Sequence, residues 1–214
     1  MTSIPPAPAD VSLSAVLLAG GASRRFGADN KLLAEIGGKP MLAKVADVLL
    51  RGGIRDVVVV TGAEQQAYAA ALAGLPVRLV HNALWDDGMG GSVAAGVRAL
   101  SATSRGAFVV PGDLANLSSD LLRRLAEAFA GAGGERVVVP VTVRGEQRNP
   151  VLWPRRLFPD LAALSGARGG KTLLDRLSSG ERLDVAFEDV SLFADIDTRD
   201  DYARLIGEPE GDTG

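Results

Sequence analysis

Asp56-Val57-Val58-Val59-Val60-Thr61 holds four consecutive valines with no polar residue between them. Branched side chains favour extended backbone, and the lack of alternation means that both faces are covered. That combination marks a central strand of a parallel sheet with helical crossovers. Towards the N-terminus, Pro40 precedes a helical pattern, Met41-Leu42, Val45 and Val48-Leu49, which Gly52-Gly53 ends. Before it, Ala15 to Leu18 reads as the first strand. Towards the C-terminus come a helix over Glu64–Leu72, a strand over Val77–Val80 and a helix over Ser92–Leu100, with Ser92 as its cap. A strand over Ala107–Val110, a helix over Ser118–Phe129 and a strand over Val137–Val141 follow. The alternation predicts an α/β fold with a doubly wound, mostly parallel sheet.

After Val141 the rhythm breaks. Thr142–Asn149 is polar and turn-like, and Pro150-Val151-Leu152-Trp153 is a short apolar run, so a small antiparallel addition to the sheet is expected here. Pro154–Leu164 reads as helical. Ala167-Arg168-Gly169-Gly170-Lys171 is a basic glycine loop before a helical Leu173-Leu174-Leu177. Val190–Ile196 predicts a last short strand, and a helix starts near Thr198. One domain over 13–206 is expected, between a disordered tail over 1–12 and a flexible one over 207–214.

The chain has 214 residues, 47% of them apolar, enough for one sizeable core. A net charge of -3 gives no reason to expect nucleic acid or an anionic membrane as partner. There is no cysteine, and His81 is the sole histidine, so a resident metal would need oxygen ligands. No apolar run is long enough to span a bilayer and the start lacks a basic-then-apolar leader, so a cytoplasmic protein is expected.

The first strand runs into Leu18-Ala19-Gly20-Gly21-Ala22-Ser23-Arg24-Arg25-Phe26-Gly27, followed by Lys31. A plain turn needs one or two glycines. Three glycines, a serine and three cations within about fifteen residues instead suit backbone N–H groups and fixed charges closing around a polyphosphate. The spacing is neither a Walker loop nor the dinucleotide fingerprint. Pro111-Gly112-Asp113 falls at the carboxyl end of the fourth strand, where open α/β sheets build their ligand crevice. An Asp there can hold a metal or cap a turn. Asp197, in Asp195-Ile196-Asp197-Thr198, can likewise hold a metal or cap the last helix.

The glycine-rich loop resembles the signature of the molybdenum cofactor nucleotidyltransferases at every position: Leu-Ala-(Gly or Ala)-Gly-x-Ser-x-Arg-(Met or Phe)-Gly with a nearby Lys. The resemblance extends from about Ala15 to about Leu205 and implies a Rossmann-like nucleotidyltransferase fold. It further implies that Leu18, Ala19, Gly20 and Gly21 lie against the nucleotide base. Ser23, Arg25 and Lys31 would surround the triphosphate, with Arg24 at the variable position. Asp113 and Asp197 would hold Mg2+, and Arg25, Lys31 and Asp113 would form the catalytic set.

Asn82 with Gly88-Met89-Gly90-Gly91-Ser92 is similar to the Asn…Gly-Met-x-x-Ser segment of the cytidylyl branch, which implies nucleotide contacts from Asn82, Gly88 and Ser92. A glycine-rich helix start is also an anion site in its own right. Asn149-Pro150 matches the same branch and, with Lys171, implies an acceptor-binding side. Gly20, by contrast, stands where cytidylyltransferases more often carry Ala and guanylyltransferases Gly. Gly166-Ala167-Arg168-Gly169-Gly170-Lys171 also lacks the Asp common in cytidylyl members.

The expected activity is Mg2+-dependent transfer of CMP from CTP to the terminal phosphate of molybdopterin, releasing pyrophosphate. The alternatives are a GTP-dependent guanylyltransferase and a nucleotidyltransferase acting on another phosphorylated small molecule. A cofactor-delivery chaperone for a molybdoenzyme is the alternative outside enzymes. A molybdoenzyme or its chaperone is a further candidate partner.

Overall fold

In the computed structural model, residues 12–20, 30–194 and 198–207 are described. Of the expected tails over 1–12 and 207–214, all but residues 12 and 207 lie outside them. Among the described residues, seven strands and seven α-helices follow in the order β1 (Leu13–Ala19), α1 (Met41–Arg51), β2 (Asp56–Thr61), α2 (Gln65–Ala71), β3 (Arg78–His81), α3 (Met89–Arg98), β4 (Gly106–Pro111), α4 (Ser119–Gly131), β5 (Val137–Thr142), β6 (Val151–Pro154), α5 (Phe158–Ala162), α6 (Lys171–Leu174), β7 (Arg182–Phe187) and α7 (Arg199–Ile206). All seven strands form one sheet in the order β3-β2-β1-β4-β6-β5-β7. The pairs β2–β3, β1–β2, β1–β4 and β5–β7 are parallel, while β6 runs antiparallel to both β4 and β5.

The valine run behaves as its composition demands. Val57 and Val59 face one layer with Leu17, Met41, Leu49, Phe108 and Leu125, while Val58 and Val60 face the other with Val16, Val93, Val97 and Trp153. Helices α1, α2 and α4 cover the first face, and α3, α5 and α6 the second. None of the four valines is more than 1% exposed. Pro40 stands immediately before α1 and Gly52 ends it, as expected; Ser118 caps α4 by accepting from the Leu121 N–H at 3.2 Å.

The expected antiparallel addition is present and interior, with β6 lying between β4 and β5. Two expectations are corrected. The last strand is Arg182–Phe187, and the apolar Val190–Phe193 is a 3-10 turn whose cap, Asp189, accepts from the Ser191 N–H. Helix α3 starts at Met89 with Gly88 as its cap, so Ser92 sits inside the helix. Among the described residues no helix is long and apolar enough to cross a membrane.

Candidate active site

Strands β1 and β4 run side by side and deliver their carboxyl ends together, with Leu18 opposite Pro111 and the Gly112 N–H donating to the Leu18 carbonyl at 2.9 Å. Asp113 follows. The next residues, Leu114 and Ala115, are 1% and 3% exposed and anchor the loop in the core. From the other side the chain resumes at Asn30, whose side-chain oxygen accepts from the Leu32 N–H at 2.9 Å and caps the single turn Lys31–Leu33. Buried Leu32 fixes that turn, and the Lys31 Nζ donates to the Asp113 Oδ2 at 2.6 Å. These side chains are 16% and 19% exposed, so the ion pair is largely sheltered. The amide of Asn30 donates to the Tyr68 hydroxyl at 2.7 Å. Burial raises the Tyr68 phenol above its ordinary value, with the Asn30 bond working against that shift.

Leu18 and Ala19 are buried in β1, and Gly20 sits beside Ser92 and Trp85. A Cβ on Gly20 would stand 3.1 Å from the Ser92 Oγ. Ser92 is itself fixed: Asn82 donates to its Oγ at 3.1 Å, takes the Leu84 N–H on its own side-chain oxygen, and is tied to β2 through the Thr61 carbonyl. Asn82 and Ser92 are 9% and 4% exposed. They therefore form a rigid wall behind Gly20. Trp85 completes this side, and a Cβ on Gly62, at the end of β2, would lie 2.8 Å from its Cγ. Sequence reasoning assigned Trp85 no role; its only signal was an aromatic residue among turn formers.

A cavity of about 250 Å3 opens on the α3 face of β1 and β4, sharing Leu18 and Pro111 with the strand ends just described. Met89, Val93, Trp153 and Leu174 give it an apolar floor, and Arg148, Asn149, Arg168 and Lys171 give it a polar rim. Arg148 is paired with Glu146 and Arg168 with Asp175, each at 2.5 Å, whereas Lys171 has no side-chain partner among the described residues. Pro150, joined to Asn149 by a cis peptide bond, is buried and does not line the cavity.

The rim loop rests on the start of α3, where the Gly90 N–H donates to the Gly166 carbonyl at 2.8 Å. Gly88 has φ +121°, and a Cβ there would meet Gly166 at 2.6 Å, so only glycine fits. Gly88 thus serves the cavity side as a seat for the 165–170 loop. Because Gly90's N–H is already taken, the α3 start offers less to an anion than its glycines suggested.

Gly21, Ser23, Arg25 and Asp197 lie outside the described residues. The segments flanking 195–197 are fastened to both functional loops. Asn116, three residues past Asp113, donates to the Ser191 carbonyl at 2.9 Å, and the Tyr202 hydroxyl of α7 donates to the Glu35 carbonyl beside the Lys31 turn. The cap of α7 is Thr198, in a reciprocal capping box with Asp201, so the capping alternative for Asp197 falls away.

No group of three His, Asp or Glu side chains close enough to cage a metal occurs among the described residues. A single carboxylate beside a cation fits Mg2+ of the kind held by one or two carboxylates together with substrate phosphates. Asp113 meets that requirement. The arrangement brings a fixed cation, a carboxylate and an adjoining pocket to one end of the sheet.

Residues 15–182 match the MobA-like NTP transferase domain. The molybdenum cofactor guanylyltransferase of Cupriavidus metallidurans is 30% identical over 196 residues, covering 88% of this chain and 92% of that protein. The nicotine blue oxidoreductase of Paenarthrobacter nicotinovorans is also 30% identical, over 200 residues, covering 91% of this chain and 96% of that protein. Among solved structures, a nucleotidyl transferase from Methanothermobacter superimposes with a TM-score of 0.78 at 25% identity, covering 92% of this chain and 96% of that one.

Proposed function

The chain belongs to the MobA-like NTP transferase family, a nucleotidyltransferase family, and on that premise we propose that it transfers CMP from CTP to the terminal phosphate of a molybdopterin-type acceptor. The observation that carries this is the Lys31–Asp113 pair at 2.6 Å, placed at the carboxyl ends of β1 and β4, whose Leu18 and Pro111 also line the 250 Å3 cavity.

An acceptor phosphate oxygen attacks the α-phosphorus, a new P–O bond forms, and the bond to the β-phosphate oxygen breaks to release pyrophosphate. A phosphate monoester is already ionised near neutral pH, so the reaction needs no protein general base. It needs charge compensation. Lys31, with Arg25, supplies fixed cations for the oxygens of the reacting phosphates. Asp113, with Asp197 as second carboxylate, would hold Mg2+, which supplies further neutralisation of the triphosphate. The anchoring of both flanks of 195–197 to the Asp113 and Lys31 loops supports that role for Asp197. The base lies against Leu18–Gly21 and the wall of Asn82 and Ser92. The acceptor enters the cavity with its terminal phosphate towards the Lys31–Asp113 pair, its other polar groups against Lys171 and Asn149, and its ring system on Met89, Trp153 and Leu174.

GTP is the second reading. It is favoured by the missing side chain at Gly20 and by the likeness to guanylyltransferases. The test is pyrophosphate release with Mg2+, molybdopterin and each NTP supplied separately. Release with CTP is expected, release with GTP alone reverses the base, and silence with every NTP overturns the activity.

A further inference from the structure

The chain contains two tyrosines, and the hydroxyls of both end on the short segment that carries Lys31. Tyr68, on α2, takes the Asn30 amide at one end of the segment; Tyr202, on α7, gives its proton to the Glu35 carbonyl at the other. We propose that Tyr68 and Tyr202 are positioning residues that clasp Asn30–Glu35 from its two ends and thereby hold the Lys31 ammonium at Asp113.

The segment needs such a clasp. A three-residue 3-10 turn is too short to hold itself, since it fixes several dihedrals for one or two hydrogen bonds. A lysine adds a flexible four-carbon stem, so its ammonium is only as well placed as the backbone beneath it. Tyr68 supplies rigidity from the core: it is 1% exposed, its ring packs with the α1 layer, and its hydroxyl meets the Asn30 amide in a partly buried bond of 2.7 Å. Asn30 relays that constraint, because its own oxygen holds the Leu32 N–H and so the geometry of the turn. Tyr202 fixes the opposite end from a helix whose start is locked by the Thr198–Asp201 box. Its bond also couples the chain next to Asp197 to the turn bearing Lys31.

The consequence for turnover rests on the nucleotidyltransfer reading, while the consequence for turn rigidity stands on geometry alone. The experiment uses Tyr68→Phe, Tyr202→Phe and Asn30→Ala, since the phenylalanines keep the rings and remove only the hydroxyls. For Tyr68→Phe, kcat for pyrophosphate release is expected to fall about tenfold, equivalent to one lost hydrogen bond, with the acceptor KM unchanged. Tyr202→Phe is expected to fall about threefold on the same scale, from its more exposed bond. Tyr68→Phe combined with Asn30→Ala should be no worse than the poorer single variant, because both act through one bond. Amide exchange should quicken across residues 30–36 in Tyr68→Phe and stay unchanged in β1 and β4. Unchanged kcat with unchanged exchange overturns the clasp, as does exchange that rises equally across the sheet. If the unaltered protein releases no pyrophosphate with any NTP, the function reading fails, and the exchange profile alone decides the clasp.

Discussion

Asp56 and Asp113 stand at opposite ends of the same parallel strands, and the fold treats them differently. Asp56, at the amino end of β2, receives the Ser14 hydroxyl at 2.7 Å, the Ser101 N–H at 2.9 Å and the Arg78 guanidinium at 2.5 Å. These donors come from β1, the chain after α3, and β3. Partial burial pushes its carboxyl up, but the three donors outweigh it and hold Asp56 below the ordinary value of 3.8. Asp113, at the carboxyl end of β4, receives one cation, Lys31. A carboxylate saturated from three elements is a staple. One that meets a single lysine among the described residues keeps oxygen lone pairs for a ligand, and on that contrast rests the proposal that Asp113, and not Asp56, holds the metal.

Substitutions that separate the two ends test this contrast. The largest effect is expected at Asp113, where Asn should cut Mg2+-dependent turnover by about 10²–10³-fold, the usual loss for a charge-stabilising group, with the thermal midpoint nearly unchanged. Asp56→Asn should leave kcat alone and cost about 1–3 kcal/mol in denaturant unfolding, as expected when a saturated carboxylate loses its charge-assisted bonds. The sign follows from its lowered folded value: Asp56 contributes stability above the ordinary carboxylate range and loses it as pH falls through the folded value. Unfolding free energy measured from pH 6 down to pH 3 should therefore decline less steeply in Asp56→Asn than in the parent. The smallest effect is expected at Gly20. Gly20→Ala brings a methyl to 3.1 Å from the Ser92 Oγ and should shift the CTP to GTP ratio of kcat/KM a few-fold towards CTP, within the roughly 10–200-fold range of single-methylene discrimination at most. Ser92→Ala in the same chain should relieve the contact and restore NTP affinity without reversing the preference.

Much of the fold was legible where one residue type decides one local structure. The valine run placed β2, and Pro40 with Gly52 bounded α1. What escaped depends on non-local pairing. In β7, Arg182-Leu183-Asp184-Val185-Ala186-Phe187 mixes charged and apolar residues because it is a partly exposed edge, so the more apolar Val190–Phe193 attracted the strand assignment instead. The interior position of β6 follows from its pairing with β4, over forty residues away, and no local pattern encodes that. At the site, the loop chemistry announced an anion. The family resemblance implied separate roles for Lys31 and Asp113, but the ion pair that joins them across 82 residues was not legible in the sequence. Asn82 and Ser92 matched a motif, yet they act on one another. Tyr68 had no assignment beyond lying in the expected helix over Glu64–Leu72, since nothing near it in sequence pointed to Asn30.

The central claim is that the Lys31–Asp113 end of the sheet does chemistry while the Asp56 end holds strands together. Pyrophosphate release and thermal midpoint, measured on one preparation each of the parent, Asp113→Asn and Asp56→Asn, test it most directly. Asp113→Asn is expected to lose turnover at an unchanged midpoint, and Asp56→Asn to keep turnover at a lowered midpoint. An active Asp113→Asn protein, or one whose loss of turnover is matched by a fall in midpoint like that of Asp56→Asn, would contradict it.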